Sequence, residues 1–364
     1  MIIEVLDAAN GDAAILRHTG DSGDEVVGLI DGGPSPVFAN AIQPALATHG
    51  ITDTDGSLDW LAVSHVDSDH IGGVLNLMRA GVEVDEFYFN TPSPFPDMGV
   101  TPAAVGAGSA RLLEARLADL LSDAPLELKV EVASIGQGQD LLDEIVQRGL
   151  HLLNPPTNQR LLTEDSCVID GLTLSIVAPS QARIDALLKE WAKTVGGVEP
   201  ASAEKMDTSI TNLSSLAFLT KAGDRTALFT GDALEDDIVG GLETIGEGFP
   251  LHVNLLKVPH HGSNSAANPK SVKAGTGLIE NVTADNYIVS ADGRSTNPSP
   301  ETLKRIVNAA PDGSTIWLPS PRSTAAKPSA QYYAQQLDGL AALVAGTAIT
   351  VRIGDGSAQV IDLT

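Results

Sequence analysis

The six residues His65-Val66-Asp67-Ser68-Asp69-His70 carry four side chains able to ligate a metal, directly after a short apolar run, Leu58–Ser64. A run of that length and content suits a buried strand, and Ile71–Arg79 after it reads as a helix. Gly72 and Gly73 let that helix start close against the loop. In an extended loop His65 and Asp67 point to one side by alternation, and the turn into the helix lets Asp69 and His70 reach the other. One short loop can thus give two ligands to each of two neighbouring cations. Imidazole and carboxylate suit zinc as first choice, and the carboxylate share admits manganese. The plainer alternative is that Asp67 and Asp69 only cap the following helix. Four potential ligands packed into one loop count against it.

Other segments repeat the pattern of a strand ending in a candidate ligand. Val26–Ile30 ends in Asp31-Gly32-Gly33, Thr226–Phe229 in Thr230-Gly231-Asp232, and Leu255–Val258 in Pro259-His260-His261-Gly262-Ser263. Asp31 reads equally well as turn chemistry or as a group orienting a ligand histidine from behind. Asp232 reads as a ligand, or as the cap of a helix over Ala233–Val239. Adjacent His260 and His261 point in different directions, so one is a ligand and the other contacts substrate or donates a proton. The sequence does not choose between them. Early hairpin signals at Ile2–Leu6, Ala13–Arg17 and Val26–Ile30 mix with helices near Phe38–Thr48, Ala110–Ser122, Gln139–Arg148, Gln181–Lys193 and Pro300–Asn308. Late strands are expected at Ser314–Leu318 and Thr347–Ile353. Hairpins mixed with helices predict layered α/β architecture with two packed sheets.

Composition narrows the chemistry. Cys167 is the only cysteine of 364 residues, which excludes an intramolecular disulfide and a thiolate-rich zinc site. It stands beside a strand-like stretch and reads as a buried structural thiol. The net charge of −25 repels polyphosphate backbones and argues against tight non-specific DNA binding. It does not exclude phosphodiester chemistry at a site neutralised by metal. No apolar run reaches membrane-spanning length, and the acidic start at Met1 does not read as a signal peptide, so a cytoplasmic location is expected.

With these motifs in place, His65-x-Asp67-x-Asp69-His70-x-Gly72-Gly73 resembles the metal-binding signature of the metallo-β-lactamase superfamily. Asp67 replaces the usual second histidine. That variant resembles the hydrolase domain of ComEC-type DNA-internalisation proteins and related free-standing hydrolases. The other markers follow in order: Asp7-x-x-Asn10-Gly11-Asp12, Leu29-Ile-Asp31-Gly-Gly33, Asn212-x-x-Ser215, Thr230-Gly-Asp232 and Lys257-Val-Pro-His-His-Gly-Ser263. The resemblance implies a four-layer αββα sandwich in one domain over 1–364, its motif-bearing core within about 1–308 and its last strands and an extension in 309–364. It also implies two divalent cations, bridged by Asp232 and completed by His260 or His261. There are departures. The superfamily's third-motif histidine is absent, with Asn212 near its place, and Asn297 replaces the histidine of a His-Pro element. His18, His49, His151 and His252 have no motif context.

Two divalent cations would outweigh Asp67, Asp69 and Asp232 by one positive charge, which favours a bridging hydroxide. The expected activity is phosphodiester hydrolysis, on nucleic acid, a nucleotide or another phosphodiester. Asp69, Asp232, His260 and His261 are the candidate catalytic residues, and Lys257, Ser263 and Asn264 stand near enough in sequence to contact the phosphate. Lys270, Lys273, Arg294, Lys304 and Arg305 would matter only if they gathered into a basic track. The alternatives are hydrolysis of an ester, thioester or lactam at the same metals, or a binding module with a degenerate site. No protein partner is implied.

Overall fold

The computed structural model describes residues 1–90, 136–138, 140–145, 147–149, 161–185, 210–321 and 327–363. The expected loop Thr91–Pro102, the helix Ala110–Ser122, His151, the end of the Gln181–Lys193 helix and the loop to Met206 lie outside the described residues. Residues 140–145 are helical, within the expected Gln139–Arg148 helix.

Two sheets form the frame. The first holds β1 (Ile2–Val5), β2 (Ala14–Thr19), β3 (Glu25–Ile30), β4 (Ser57–Val63) and β5 (Glu83–Phe89) side by side. The second holds β6 (Ser166–Ile169), β7 (Leu172–Ala178), β8 (Ala217–Ala222), β9 (Arg225–Phe229), β10 (Leu251–Lys257), β11 (Val282–Ile288), β12 (Thr315–Leu318) and β13 (Thr350–Ile353). The last strand, β14 (Gln359–Asp362), returns to the first sheet and pairs antiparallel with β1. Strands β3, β4 and β5 are parallel, as are β9 through β13, while the hairpin strands around them are antiparallel.

Three cores divide the molecule into four layers. Helix α1 (Gln43–Thr48) and helix α2 (Ser68–Ala80) cover the outer face of the first sheet, with Leu46, Ile71, Val74 and Leu77 packed on Leu29, Leu61 and Phe87. Between the sheets, Ile3, Leu16, Trp60 and Tyr88 meet Leu174, Phe218, Phe229 and Ile288. Helices α3 (Glu235–Thr244), α4 (Pro300–Ala309) and α5 (Pro328–Val344) cover the far face of the second sheet through Ile238, Leu242, Leu303, Ile306, Tyr333 and Leu340. The alternation of inward residues follows the strand period of two, so each sheet faces two cores. The fold is therefore mixed α/β, two large sheets with helices on both outer faces. No helix among the described residues is long and apolar enough to cross a membrane.

The parallel strands set the site. In open parallel sheets, functional groups collect at the carboxyl ends of the strands. Here β3, β4, β9, β10 and β11 end at Asp31, His65, Asp232, His260–His261 and Ser290 respectively. Two tight backbone approaches hold these ends in place. The Gly32 N–H donates to the His70 carbonyl at 2.7 Å, and the Gly73 N–H to the Gly33 carbonyl at 2.9 Å. A Cβ on Gly73 would lie 1.9 Å from the Gly32 carbonyl oxygen. The two nearest atoms belong to the Gly32 backbone, which cannot yield as a side chain could. Gly73→Ala is thus expected to destabilise the fold by about 1–3 kcal/mol, the usual range for overpacking. Urea denaturation tests this, and an unchanged unfolding midpoint would show that the turn and helix are not tightly docked.

Candidate metal centre

The loop after β4 builds the site from behind. The carboxylate of Asp31, 1 % exposed, accepts from the Ser64 N–H at 2.7 Å, the Ser64 hydroxyl at 2.7 Å and His70 Nδ1 at 2.9 Å. The Ser64 hydroxyl has one proton and gives it to Asp31. It must then accept from His65 Nδ1, 3.0 Å away. His261 Nδ1 stands 2.9 Å from the Ser290 carbonyl oxygen, which can only accept. These partners put the single proton of a neutral His65, His70 or His261 ring on Nδ1, so that Nε2 is the nitrogen left to bind a metal ion or a second proton. Ring orientation of this kind is what metal-ligating histidines need.

The free Nε2 atoms converge. His70 Nε2 and His261 Nε2 are 3.4 Å apart, a separation that cannot be a hydrogen bond when both carry lone pairs. It matches two ligands of one tetrahedral zinc, which at about 2.0–2.1 Å per bond stand roughly 3.4 Å from each other. Asp232 lies 3.4 Å from each of them, through Oδ1 to His70 and Oδ2 to His261. Asp69 Oδ2 is 3.6 Å from His261 Nε2. On the other side, His65 Nε2 is 3.7 Å from Asp67 Oδ2, and His260 Nε2 is 3.7 Å from Asp232 Oδ2. His65 Nε2, Asp232 Oδ1 and His260 Nδ1 are buried atoms without a hydrogen-bond partner. Unsatisfied buried atoms cost about 1–3 kcal/mol each. A nitrogen and oxygen donor set with open lone pairs, pointed inward, fits a divalent cation of the zinc or manganese type.

The plainer readings of Asp67 and Asp232 do not hold. Asp67 occupies the capping position of α2 but makes no side-chain capping bond. Its carboxylate instead accepts from the Thr211 hydroxyl at 2.7 Å. Helix α3 begins at Glu235 with Leu234 at the cap, so Asp232 is not its cap either.

Backbone geometry at the double histidine is unusual. His260 and His261 both have left-handed φ, at 49° and 54°. That conformation costs a residue with a Cβ roughly 1–2 kcal/mol. It turns both rings toward Asp232, and strain of this type concentrates at functional sites.

Four residues, Asp12, His70, Asp232 and His261, present ligand atoms that all lie within 4.8 Å of one another. Ring edges separate Asp12 from the rest. Asp12 faces the Nδ1 edges of His70 at 3.8 Å and of His261 at 3.6 Å, opposite to the Nε2 edges that face Asp232. Its carboxylate is also held by the Lys257 ammonium and the Ser290 hydroxyl. We therefore group Asp12 with Lys257 as a buried ion pair behind the rings. Lys257, 5 % exposed, further donates to the Gly231 carbonyl at 3.1 Å.

Electrostatics follow this packing. Burial opposes ionisation of Asp12, yet Lys257 and the two histidines hold its carboxyl far below the usual range. Asp232 is also buried, and His261, His260 and His70 hold it well below its ordinary value. Burial opposes protonation of His261, but Asp232 and Asp12 outweigh it and push the ring up to about 10. His70 rises for the same reason, through Asp232 and Asp31. His260 falls, chiefly through burial. Without a cation, protons balance these carboxylates, so a metal ion and protons compete for the same nitrogens.

The remaining expected residues scatter. Asn212 Nδ2 stands 3.5 Å from His260 Nε2. Ser263 caps a short turn by accepting from the Ser265 N–H, and Asn264 is exposed beside it. Neither touches the cluster among the described contacts. Asn297 is buried, and its backbone bonds to Arg294 and Gly293. Of the five basic residues expected to form a track, Arg305 is locked between Glu235 and Glu280, and Arg294 reaches the cluster through Asn10. The sequence places Asn10 and Asp12 in one motif and Ser290 at the head of the stretch that ends in Asn297-Pro298, and it assigns no role to any of them or to Ser64 and Thr211. Each bonds a side chain of the site here.

No protein-family model matches this chain, and no curated protein matches it. Among solved structures, it is similar to the metallo-β-lactamase-fold protein YhfI from Bacillus subtilis, at 11 % identity over 100 % of both chains with a TM-score of 0.41. It is also similar to a HARLDQ-motif mutant metallo-β-lactamase from Cronobacter sakazakii, at 13 % identity over 68 % of this chain and 70 % of that one, TM-score 0.31. A protein of unknown function from Enterococcus faecalis V583 is similar at 12 % identity over 97 % and 87 % of the two chains, TM-score 0.31.

The left-handed backbone of His260 yields a direct test. His260→Gly and His260→Ala both remove the imidazole, but only glycine relieves the strain. In metal-free protein the glycine variant should be the more stable by about 1 kcal/mol. Equal stability in urea denaturation would mean that the turn is not strained.

Proposed function

We propose that this chain is a one-domain, metal-dependent hydrolase that holds two divalent cations and favours phosphodiester substrates. The observation that carries this reading is the convergence of the His70 and His261 Nε2 atoms on Asp232, with His65 Nε2 open beside Asp67, and each of the three rings locked from behind at Nδ1. In this reading His70, His261 and Asp69 hold one cation, and His65 and Asp67, with His260 beside them, hold the other. Asp232 is shared between them. When bound, such cations supply Lewis acidity and lower the pKa of water toward neutrality.

The chain's own residues do the rest. Asp31 fixes the tautomer of His70 directly and that of His65 through Ser64. Thr211 and Asn10 donate to Asp67 and Asp69, which orients both carboxylates. The Asp12–Lys257 ion pair sits behind the cluster, with the Asp12 carboxylate facing the far edges of the His70 and His261 rings. The preference for phosphodiesters is supported by Asp67, which makes the ligand set harder than an all-histidine one. The resemblance to the ComEC-type hydrolase domain supports the same preference.

A substrate panel tests the proposal. With added zinc or manganese, the protein should hydrolyse bis(p-nitrophenyl) phosphate or DNA. Asp232→Asn should lower that rate by at least about 100-fold, as loss of a central charged group at a catalytic centre does. Hydrolysis of acyl esters, thioesters or lactams without phosphodiester turnover would reject the substrate assignment.

A further inference from the structure

We infer that Arg294 is a substrate-anchoring residue, holding an anionic oxygen of the substrate at the rim of the metal centre. The inference builds on the hydrolase reading for its setting, although its test does not depend on turnover.

Arg294 is solvent-facing, with its side chain 56 % exposed, yet it is not a free surface arginine. Its Nη1 donates to Asn10 Oδ1, and Asn10 Nδ2 donates to Asp69 Oδ2 at 2.9 Å. Its Nε lies 3.4 Å from Asp292 Oδ2. The guanidinium is therefore tied, through one neutral amide, to a carboxylate of the site. No described residue partners its Nη2.

The loop beneath Arg294 is built to hold it. Gly293, Ser295 and Thr296 all have left-handed φ, at 89°, 50° and 56°. A Cβ on Gly293 would lie 2.0 Å from the Ser329 carbonyl of α5. Tyr332 of the same helix donates to the Pro298 carbonyl at 3.1 Å. The Asn297 N–H closes back on the Arg294 carbonyl at 2.9 Å. Two left-handed non-glycine residues cost free energy, and so does ordering an exposed arginine, which carries about 2 kcal/mol of rotamer entropy. A solvated surface charge needs neither expense. Pre-ordering a planar fork beside a metal site does lower the cost of binding an oxyanion later.

Charge points the same way. The chain carries −25 overall, and its site is lined by carboxylates, so an anionic substrate meets repulsion on approach. Asn10 is neutral, so among the described residues the carboxylate against the guanidinium is Asp292, on its Nε side at 3.4 Å. Arg305 is consumed by two glutamates, and Lys257 is buried on Asp12. Among the described residues, Arg294 is the cation that reaches both the cluster and solvent.

The test is calorimetric titration of inorganic phosphate into metal-supplemented full-length protein, with metal content measured for each variant. Wild type should bind phosphate, and Arg294→Ala should bind it about tenfold or more weakly, the scale of a charged hydrogen bond. Arg294→Lys should fall between, because an ammonium keeps the charge and loses the fork. Metal content should not change. Equal phosphate affinity in wild type and Arg294→Ala overturns the inference, as does a wild type that binds no phosphate. Loss of metal in Arg294→Ala also overturns it, since Arg294 would then act through Asn10 on Asp69. Arg294-dependent phosphate binding without any phosphodiester hydrolysis would instead sink the proposed function and leave the anchor standing.

Discussion

The buried carboxylate of Asp31 ties three elements to one another: the end of β3, the end of β4 and the start of α2. Because it can only accept, it dictates where protons sit on Ser64 and His70, and through Ser64 on His65. Ring orientation at the site therefore follows from a residue that need not touch a metal. A buried acceptor with three donors is well satisfied, so the arrangement is rigid at little cost. The glycine contacts between residues 32–33 and 70–73 make that geometry sterically unavoidable.

The second constraint is charge. Burying Asp12 and Asp232, with the half-buried Asp67 close by, is unfavourable unless cations answer them. Lys257 answers Asp12 permanently. The shared Asp232 is answered by protonated rings in the metal-free protein and by divalent cations in the proposed holoenzyme. The same side chains thus serve either state, and the orphaned His65 Nε2 and Asp232 Oδ1 mark what the metal-free cluster leaves unmet. The fixed network behind the rings confines this exchange to their Nε2 edges.

Much of this was legible in the sequence where chemistry and chain order coincide. His65–His70 is one loop, and Asp31, Asp232 and His260–His261 each end an apolar run, so short-range patterning exposes them. Asp12, Thr211 and Ser290 were harder, because their roles depend on which strand ends lie side by side across two sheets. Lys257 looks the same in sequence whether it meets a substrate phosphate or a buried aspartate. The β1–β2 turn, which presses Gly11 within 1.9 Å of the Asp69 carbonyl if given a Cβ, decides for the aspartate. Late elements were also under-read. β14 is four residues long and gains its meaning from pairing with β1. Helix α5 shows a role only once it is seen packed beneath Gly293.

The assignment of ring edges is the centre of this account, and anomalous scattering from crystals grown with zinc or manganese tests it most directly. The account predicts anomalous peaks on the Nε2 side of His65, His70 and His261, against Asp232, at about 2.0–2.2 Å from the ligand atoms. Peaks on the Nδ1 side, between Asp12 and the Ser290 carbonyl, or no peak at the cluster, would contradict it.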